Sequence, residues 1–211
     1  MLTAHLIGFP QEKGIRLAAT LAARGVYGEP AAGVPSTAAV DLALVDGTSR
    51  SHVMCSLESW GGNPPPYAVG FVYPVDSLPL QGSSLFPSWI DLVTGQGIPD
   101  YLEDTLELDP EPEDRPVPRT VGYTAGDGPG GIAQVEVLGP SGLIFETGRQ
   151  VRRHDAVTFF IPLGRRTPMA MRGTVVSRRP RLRGRSRCVA SFLGASVPQR
   201  RALGCLLAGW A

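Results

Sequence analysis

The 211-residue sequence predicts two domains of different class: an α/β unit with a parallel sheet, then an all-β barrel closed by a C-terminal helix. Three observations carry this. The first half alternates short apolar runs with a helical stripe. The stretch Ile132–Trp210 instead breaks into short β-rich runs divided by Gly, Pro and Arg, and ends in one amphipathic helix. Charge divides at the same place: residues 1–110 hold twelve acidic and four basic residues, whereas residues 111–211 hold seven acidic residues and sixteen arginines. The overall formal charge of +1 therefore covers two halves of opposite sign. Between them Asp109–Asp114 (DPEPED) is acidic, Pro-rich and free of apolar residues, the composition of a hinge. The expected organisation is a domain at 1–108, a hinge at 109–114 and a second domain at 115–211.

Leu2–Phe9 is a short apolar run bounded by Gly8 and Pro10 and reads as a buried strand. Gln11–Arg24 follows with Ile15, Leu17, Ala18, Leu21 and Ala22 on one helical stripe, stopped by Gly25. Val40–Val45 reads as the second strand, ending at the Asp46-Gly47 turn signal, and Tyr67–Tyr73 as the third. Trp89–Val93 and Asp100–Leu106 are expected as short helices. Beyond the hinge, strands are expected at Ile132–Leu138, Leu143–Thr147, Ala156–Pro162, Met169–Val176 and Arg187–Phe192. Gln199–Leu207 is the closing helix, with Leu203, Leu206 and Leu207 on its buried side.

Several function classes find no support. Cys55, Cys188 and Cys205 are too widely spaced for a disulfide framework or a CxxC metal motif, which fits a reducing cytoplasm. Cys188 and Cys205 read as buried, inert thiols. Residues 1–9 lack the pattern of a secretory leader, and no apolar run is long enough to span a bilayer. His5, His52 and His154 stand in no catalytic frame, so neither an enzyme nor a metal site nor a resident cofactor is expected.

From about residue 115 to 208 the chain resembles the PilZ family, six-stranded barrels with a C-terminal helix that bind cyclic di-GMP. Arg115-Pro-Val-Pro-Arg119 matches the family's RxxxR. Val137–Gly142 (VLGPSG) stands where the family has [D/N]xSxxG. With Gly142 as the motif glycine, Val137 replaces the acid and Gly139 the serine; a one-residue shift makes Ser141 the serine instead. Phe159–Leu163, Arg172–Val176 and Val189–Leu193 resemble the family's later strands. The resemblance implies cyclic di-GMP held by Arg115 and Arg119 against Gly139, Ser141 and Gly142. It also implies a cytoplasmic bacterial signalling effector that acts on a protein of a motility or envelope system. Guanidinium groups suit such a ligand, since they grip phosphates or guanine edges with paired donors and stack on bases. The missing acid removes a charge-assisted hydrogen bond of about 1.5–3 kcal/mol.

Two other readings stay open beside it. Family barrels without the full motif resemble protein-interaction modules, which makes a nucleotide-independent scaffold, homodimeric or with another protein, the first alternative. The second is nucleic-acid binding by Arg178–Arg187, which carries six arginines in ten residues. No aromatic interleaves them, and a solvated hairpin tip is the better account of the cluster. In the first domain, Asp46 at the end of VDLALVD resembles the phospho-accepting Asp of a response-regulator receiver. The first strand is followed by Gly8-Phe9-Pro10 rather than an acidic pair, and Lys13, the only lysine, lies in the helix region. A receiver-like fold without phosphorylation is the expectation.

Overall fold

A computed structural model describes residues 2–35, 41–61, 68–74, 76, 78, 90–106, 118–126, 130–163 and 166–208. A five-stranded parallel sheet flanked by helices is followed by a closed six-stranded antiparallel barrel with a C-terminal helix. The acidic stretch 109–114 lies outside the described residues.

The first unit begins with β1 (Thr3–Ile7) and α1 (Gln11–Ala23), in which Ile15, Leu17, Ala18, Leu21 and Ala22 are all buried. α1 stops as the glycine predicts. Gly25 takes φ +72° while its N–H donates to Ala22 O and that of Val26 to Leu21 O, a Schellman closure. Val26 and Leu21 share the same apolar cluster, so the cap also sets the direction of the next segment.

β2 (Tyr27–Ala31), β3 (Leu42–Asp46), α2 (Arg50–Trp60), β4 (Ala68–Tyr73), β5 (Ile90–Thr94) and α3 (Ile98–Leu106) complete the unit. Strand order is β2-β1-β3-β4-β5, the receiver-like arrangement, with its topological switch point between β1 and β3. Leu17, Ala18 and Leu21 of α1 and Leu102 of α3 pack on one face, with Leu6 and Leu44. Val53 and Trp60 of α2 pack on the other, with Ile7, Val45 and Phe71.

Three elements differ from the sequence reading. YGEPA is a strand, so VDLALV belongs to the third strand rather than the second. β2 is an edge strand, where Pro30 costs no ladder bond, and Gly28 is forced by Ala18, whose Cα lies 2.9 Å from where a Cβ would stand. Ile90–Thr94 is a strand and not a helix; Ile, Val and Thr favour the pleated edge it occupies. Arg50–Trp60 is a helix that the reading passed over, ended by Gly61 at φ +49°.

The barrel comprises β6 (Thr120–Ala125), β7 (Gly131–Gly139), β8 (Gly142–Thr147), β9 (Ala156–Leu163), β10 (Arg166–Pro180) and β11 (Ser186–Ser191), closed in the order β10-β11-β8-β7-β6-β9. Its interior is aromatic. The Phe145 and Phe159 rings meet edge-on at 5.2 Å and Phe159 meets Phe192 at 5.8 Å, while Tyr123 Oη pairs with Thr147 Oγ1 at 2.7 Å. α4 (Val197–Leu207) inserts Leu203 into this core and starts at a capping box between Ser196 and Gln199.

Strand alternation explains the barrel's inside but not all of its outside. In β8, Leu143 and Phe145 face inward, yet Ile144 between them is also fully buried. Its outward neighbours are Val189 of β11 and Ile15 of α1. The first helix of the α/β unit therefore lies on the outer wall of the barrel, over β7, β8 and β11, and buries a second apolar patch there. Each such buried side chain contributes about 2 kcal/mol. Bulges at Glu136 and Val176 serve this contact. At the first, Glu136 and Val137 both face α1 before Leu138 turns back into the core.

Candidate functional site

Gly139, Ser141 and Gly142 lie together, as the two ends and one residue of the two-residue turn that joins β7 to β8. This turn faces α1 rather than open solvent. A Cβ on Gly139 would stand 3.0 Å from Ile15 O and 3.1 Å from Ala19 N. One on Gly142 would overlap Ala190 O and stand 2.5 Å from Ile15 Cδ1. Both positions need glycine because a helix backbone and a neighbouring strand approach them, the same close approach that a ligand would require. Ser141 is only 2% exposed and its hydroxyl has no hydrogen-bond partner among the described residues.

Arg119 is exposed at the start of β6, and its carbonyl accepts from Val135 N at 2.9 Å. Val135 and Gly139 are four residues apart on β7, which places Arg119 roughly 13 Å along the strand from the turn. Arg115 lies outside the described residues.

What the sequence did not reveal is an ionic seam beside the turn. Arg187, on the outer face of β11, has a side chain only 8% exposed. Its Nε donates to Glu136 Oε2 at 2.6 Å and its Nη2 to Glu136 Oε1 at 3.0 Å and Glu12 Oε1 at 2.8 Å. Arg16, one turn after Glu12 on α1, donates to Glu136 Oε1 at 2.5 Å and to Glu12 Oε1 at 3.5 Å. Two arginines and two carboxylates thus alternate across the boundary between the α/β unit and the barrel. A second pair crosses it where Arg200 of α4 donates to Glu29 of β2 at 3.2 Å, and the Arg201 guanidinium stands 5.6 Å over the Tyr27 ring. The opposite charges of the two halves are realised in Glu12–Arg187 and Glu29–Arg200, while Arg16–Glu136 runs the other way. The one legible trace was Glu12 and Arg16 at i, i+4 on the first helix.

These contacts hold the carboxylates ionised. Hydrogen bonds from Arg187, then from Arg16, pull the Glu136 carboxyl down to about 2, against the opposing effect of burial. Glu12 is lowered by Arg187 in the same way. A depressed folded-state pKa contributes stability that is fully present above the ordinary value of 4.5 and is lost as pH falls through about 2. The thermal midpoint of the wild type should therefore exceed that of Glu136→Gln by a constant margin down to about pH 4.5. The margin should then shrink steadily toward pH 2. A margin insensitive to pH over that interval contradicts the ionic account.

At the carboxyl end of the sheet, Asp46 is 4% exposed and accepts from Thr48 N at 3.1 Å and Thr48 Oγ1 at 2.8 Å. Lys13, placed by the sequence in the first helix rather than after a last strand, closes on it at 3.5 Å because α1 brings the ammonium back over the end of β3. Gly8 lies at φ +79° under the His52 ring. No group of three or more metal-binding side chains occurs among the described residues. Asp46 Oδ1 thus caps its own turn and faces Lys13.

The arginine cluster forms the β10–β11 hairpin, with a 3-10 turn at Leu182–Gly184. Four of its six arginines are committed within the protein. Arg178 donates to Ser186, Arg181 and Arg185 face Glu146 at 3.7 and 3.9 Å, and Arg187 joins the seam. Cys188 points into the barrel core, where burial pushes its thiol up, whereas Cys205 is only half-buried. No helix among the described residues is long and apolar enough to cross a membrane. No protein-family model matches the chain, and no curated protein matches it.

Proposed function

We propose that this protein is a cytoplasmic bacterial signalling adaptor whose PilZ-like barrel binds a protein partner without cyclic di-GMP. The observation that carries the reading is the closed turn. Ile15 and Ala19 of α1 fill the space against Gly139 and Gly142 that the family resemblance reserves for the nucleotide.

Among the described residues nothing covers the opposite wall of the barrel. Across β7, β6, β9 and β10, Ile132, Gly122, Phe160 and Ala170 pair in one row. Ile132 is 72% and Phe160 40% exposed, with glycine as the floor between them. The neighbouring outward positions are Thr120, Thr124, Thr158, Pro162 and Arg172, and Arg119 borders them; none of these is a carboxylate. Such a surface suits an apolar partner segment with an acidic rim, anchored on Phe160 and steered by the two arginines. A component of a motility or envelope system is the partner that the resemblance suggests. Nucleic acid is a poorer fit, since most of the arginine hairpin is already paired to the protein itself.

Two measurements test this. Calorimetric titration of the full chain with cyclic di-GMP should give no binding heat, and Arg119→Ala should behave identically. Saturable heat that disappears in Arg119→Ala overturns the nucleotide-independent reading. A partner identified by affinity capture and then purified should lose at least about tenfold affinity for Ile132→Glu/Phe160→Ser, equivalent to about 1.4 kcal/mol. It should bind Leu182→Ser, altered at the exposed hairpin tip, as it binds wild type. Equal binding to all three removes this wall as the docking face.

A further inference from the structure

We propose that the end of the barrel carrying the β10–β11 hairpin docks on an anionic lipid bilayer. Leu182 enters the headgroup layer and the arginines around it meet lipid phosphates. The inference does not rest on a protein docking at the outer wall. Leu182 and Arg183 lie off that wall, and Phe160 lies four residues into β9, away from this end.

Strand directions bring two basic segments together. β8 and β11 pair from Gly142 and Ser191, at the β7–β8 turn, to Thr147 and Ser186 at the other end. The β10–β11 hairpin and the loop from β8 to β9 both open at that far end. It therefore gathers Arg179, Arg181, Arg183 and Arg185 from the hairpin and Arg152 and Arg153 from the loop, all of them exposed. The described carboxylates beside them are Glu146 and Asp155. Glu146 alone faces both Arg181 and Arg185, at 3.7 and 3.9 Å, and each of these arginines keeps about half of its side chain in water. Asp155 accepts from the backbone N–H of Arg152 at 2.7 Å. Among the described residues, the guanidinium groups of Arg152, Arg153, Arg179 and Arg183 have no carboxylate partner. This end is strongly positive.

A solvated tip accounts for the arginines but not for the residue at its apex. Arg181 N donates to Arg185 O at 2.8 Å and closes a three-residue tip, Leu182–Gly184. Arg183 and Gly184 turn the chain back at φ +60° and +71°. Turns that meet only solvent favour Gly, Asn, Asp and Ser. Here the tip begins with a leucine that is 89% exposed, the most exposed large apolar side chain among the described residues. Ile132, the next, borders the same end, since Arg185 Nη1 donates to Gln134 Oε1 at 2.7 Å, two positions along β7. Scattered apolar side chains need no partner, but these two stand where the cationic segments converge.

That arrangement selects the occupant. An apolar side chain leads and guanidinium groups follow on either side of it. A bilayer has the matching order of layers, phosphates outside and hydrocarbon beneath, and arginine stems are long enough to reach back to the phosphates. An anionic leaflet strengthens binding about fivefold for each basic residue brought near it. One leucine holds a protein only weakly, and exposed arginines alone give an attraction that salt screens. Together they make a reversible attachment. Nucleic acid offers phosphates without an apolar layer, and the hairpin has no aromatic side chain on which bases stack.

Sedimentation of the full chain with lipid vesicles tests the proposal. At about 0.1 M salt, phosphatidylcholine vesicles containing roughly one third phosphatidylglycerol should carry the protein down saturably. Phosphatidylcholine alone should bind it at least about twentyfold more weakly. Arg179→Gln/Arg183→Gln should weaken binding to the anionic vesicles about twentyfold and Leu182→Ser about tenfold, while Phe160→Ser binds as wild type. Both tip variants change only exposed side chains and should melt with the wild type, which separates lost docking from lost folding. A short DNA duplex at equal phosphate concentration should bind more weakly than the vesicles, and equally to wild type and Leu182→Ser. Absence of sedimentation with anionic vesicles overturns the proposal, as does undiminished binding of Leu182→Ser. Tighter binding of the duplex than of the vesicles assigns the hairpin to nucleic acid instead, and loss of vesicle binding in Phe160→Ser moves the contact to the outer wall.

Discussion

Gly142→Ala is expected to lower the stability of the folded chain by about 2–3 kcal/mol, for a reason that lies in two units at once. The added methyl falls on the Ala190 carbonyl oxygen and within 2.5 Å of Ile15 Cδ1. Neither can step aside cheaply. Ala190 is backbone in β11, hydrogen-bonded in the barrel ladder, and Ile15 is fully buried between α1 and the barrel wall. Relief requires both a wider β8–β11 spacing and a displaced Ile15 side chain. Overpacking of this kind outweighs the gain of about 0.4–1 kcal/mol that alanine brings by restricting the unfolded chain. The thermal midpoint should fall by roughly 4–12 °C. Gly148→Ala, with nothing within 4 Å of its added methyl, is the matched control and should stay within about 0.5 kcal/mol of wild type. If Gly142→Ala melts with the wild type, α1 does not pack on this turn and leaves it open to a nucleotide.

Arg187→Ala should cost about 2–3 kcal/mol and also change the form of the transition. It removes a bidentate contact to Glu136 and the contact to Glu12, and leaves two carboxylates facing each other with Arg16 as their common partner. Both carboxylates keep about a third of their surface in water, so the loss is less than for a wholly buried pair. Because these bonds span the two units, losing them weakens the coupling that makes the units unfold together. Calorimetry should show one endotherm in the wild type and two partly resolved ones in Arg187→Ala. Arg187→Lys should rescue only part of the effect, since a single ammonium cannot donate along two edges. Replacing all three groups, as Arg187→Met/Glu12→Leu/Glu136→Leu, should recover most of it, because a well-packed apolar patch substitutes for a paired one. A single unchanged endotherm in Arg187→Ala would falsify the coupling role.

Several elements were legible because their signals are local. The spacing of Ile15, Leu17, Ala18 and Leu21 defines α1, and Gly25 ends it with a left-handed residue. The runs in β3, β4 and the barrel strands carry enough β-branched and aromatic residues, punctuated by glycine and proline, to stand out one by one. α2 was missed although Val53, Leu57 and Trp60 do recur at helical spacing, because polar residues separate them and a helix of 11 residues buries little. β2 was missed because glycine, glutamate and proline carry no strand signal. Its place is set by β1 alongside and by α1 above, which are tertiary facts.

Composition and periodicity alone determined that a parallel α/β unit precedes an antiparallel barrel with a terminal helix, since most of their elements announce an apolar face over a few residues. Tertiary structure alone decided that α1 serves both units, burying Leu17 and Leu21 against the sheet and Ile15 against Ile144 and Val189 of the barrel. The same contact sets Gly139 and Gly142 against α1, and joins Glu12 to Arg187 across 175 positions of chain. A linear pattern records which residues prefer to leave water. It does not record which distant surface they meet, and at this boundary that choice rests on shape and charge contributed by both α1 and the barrel wall.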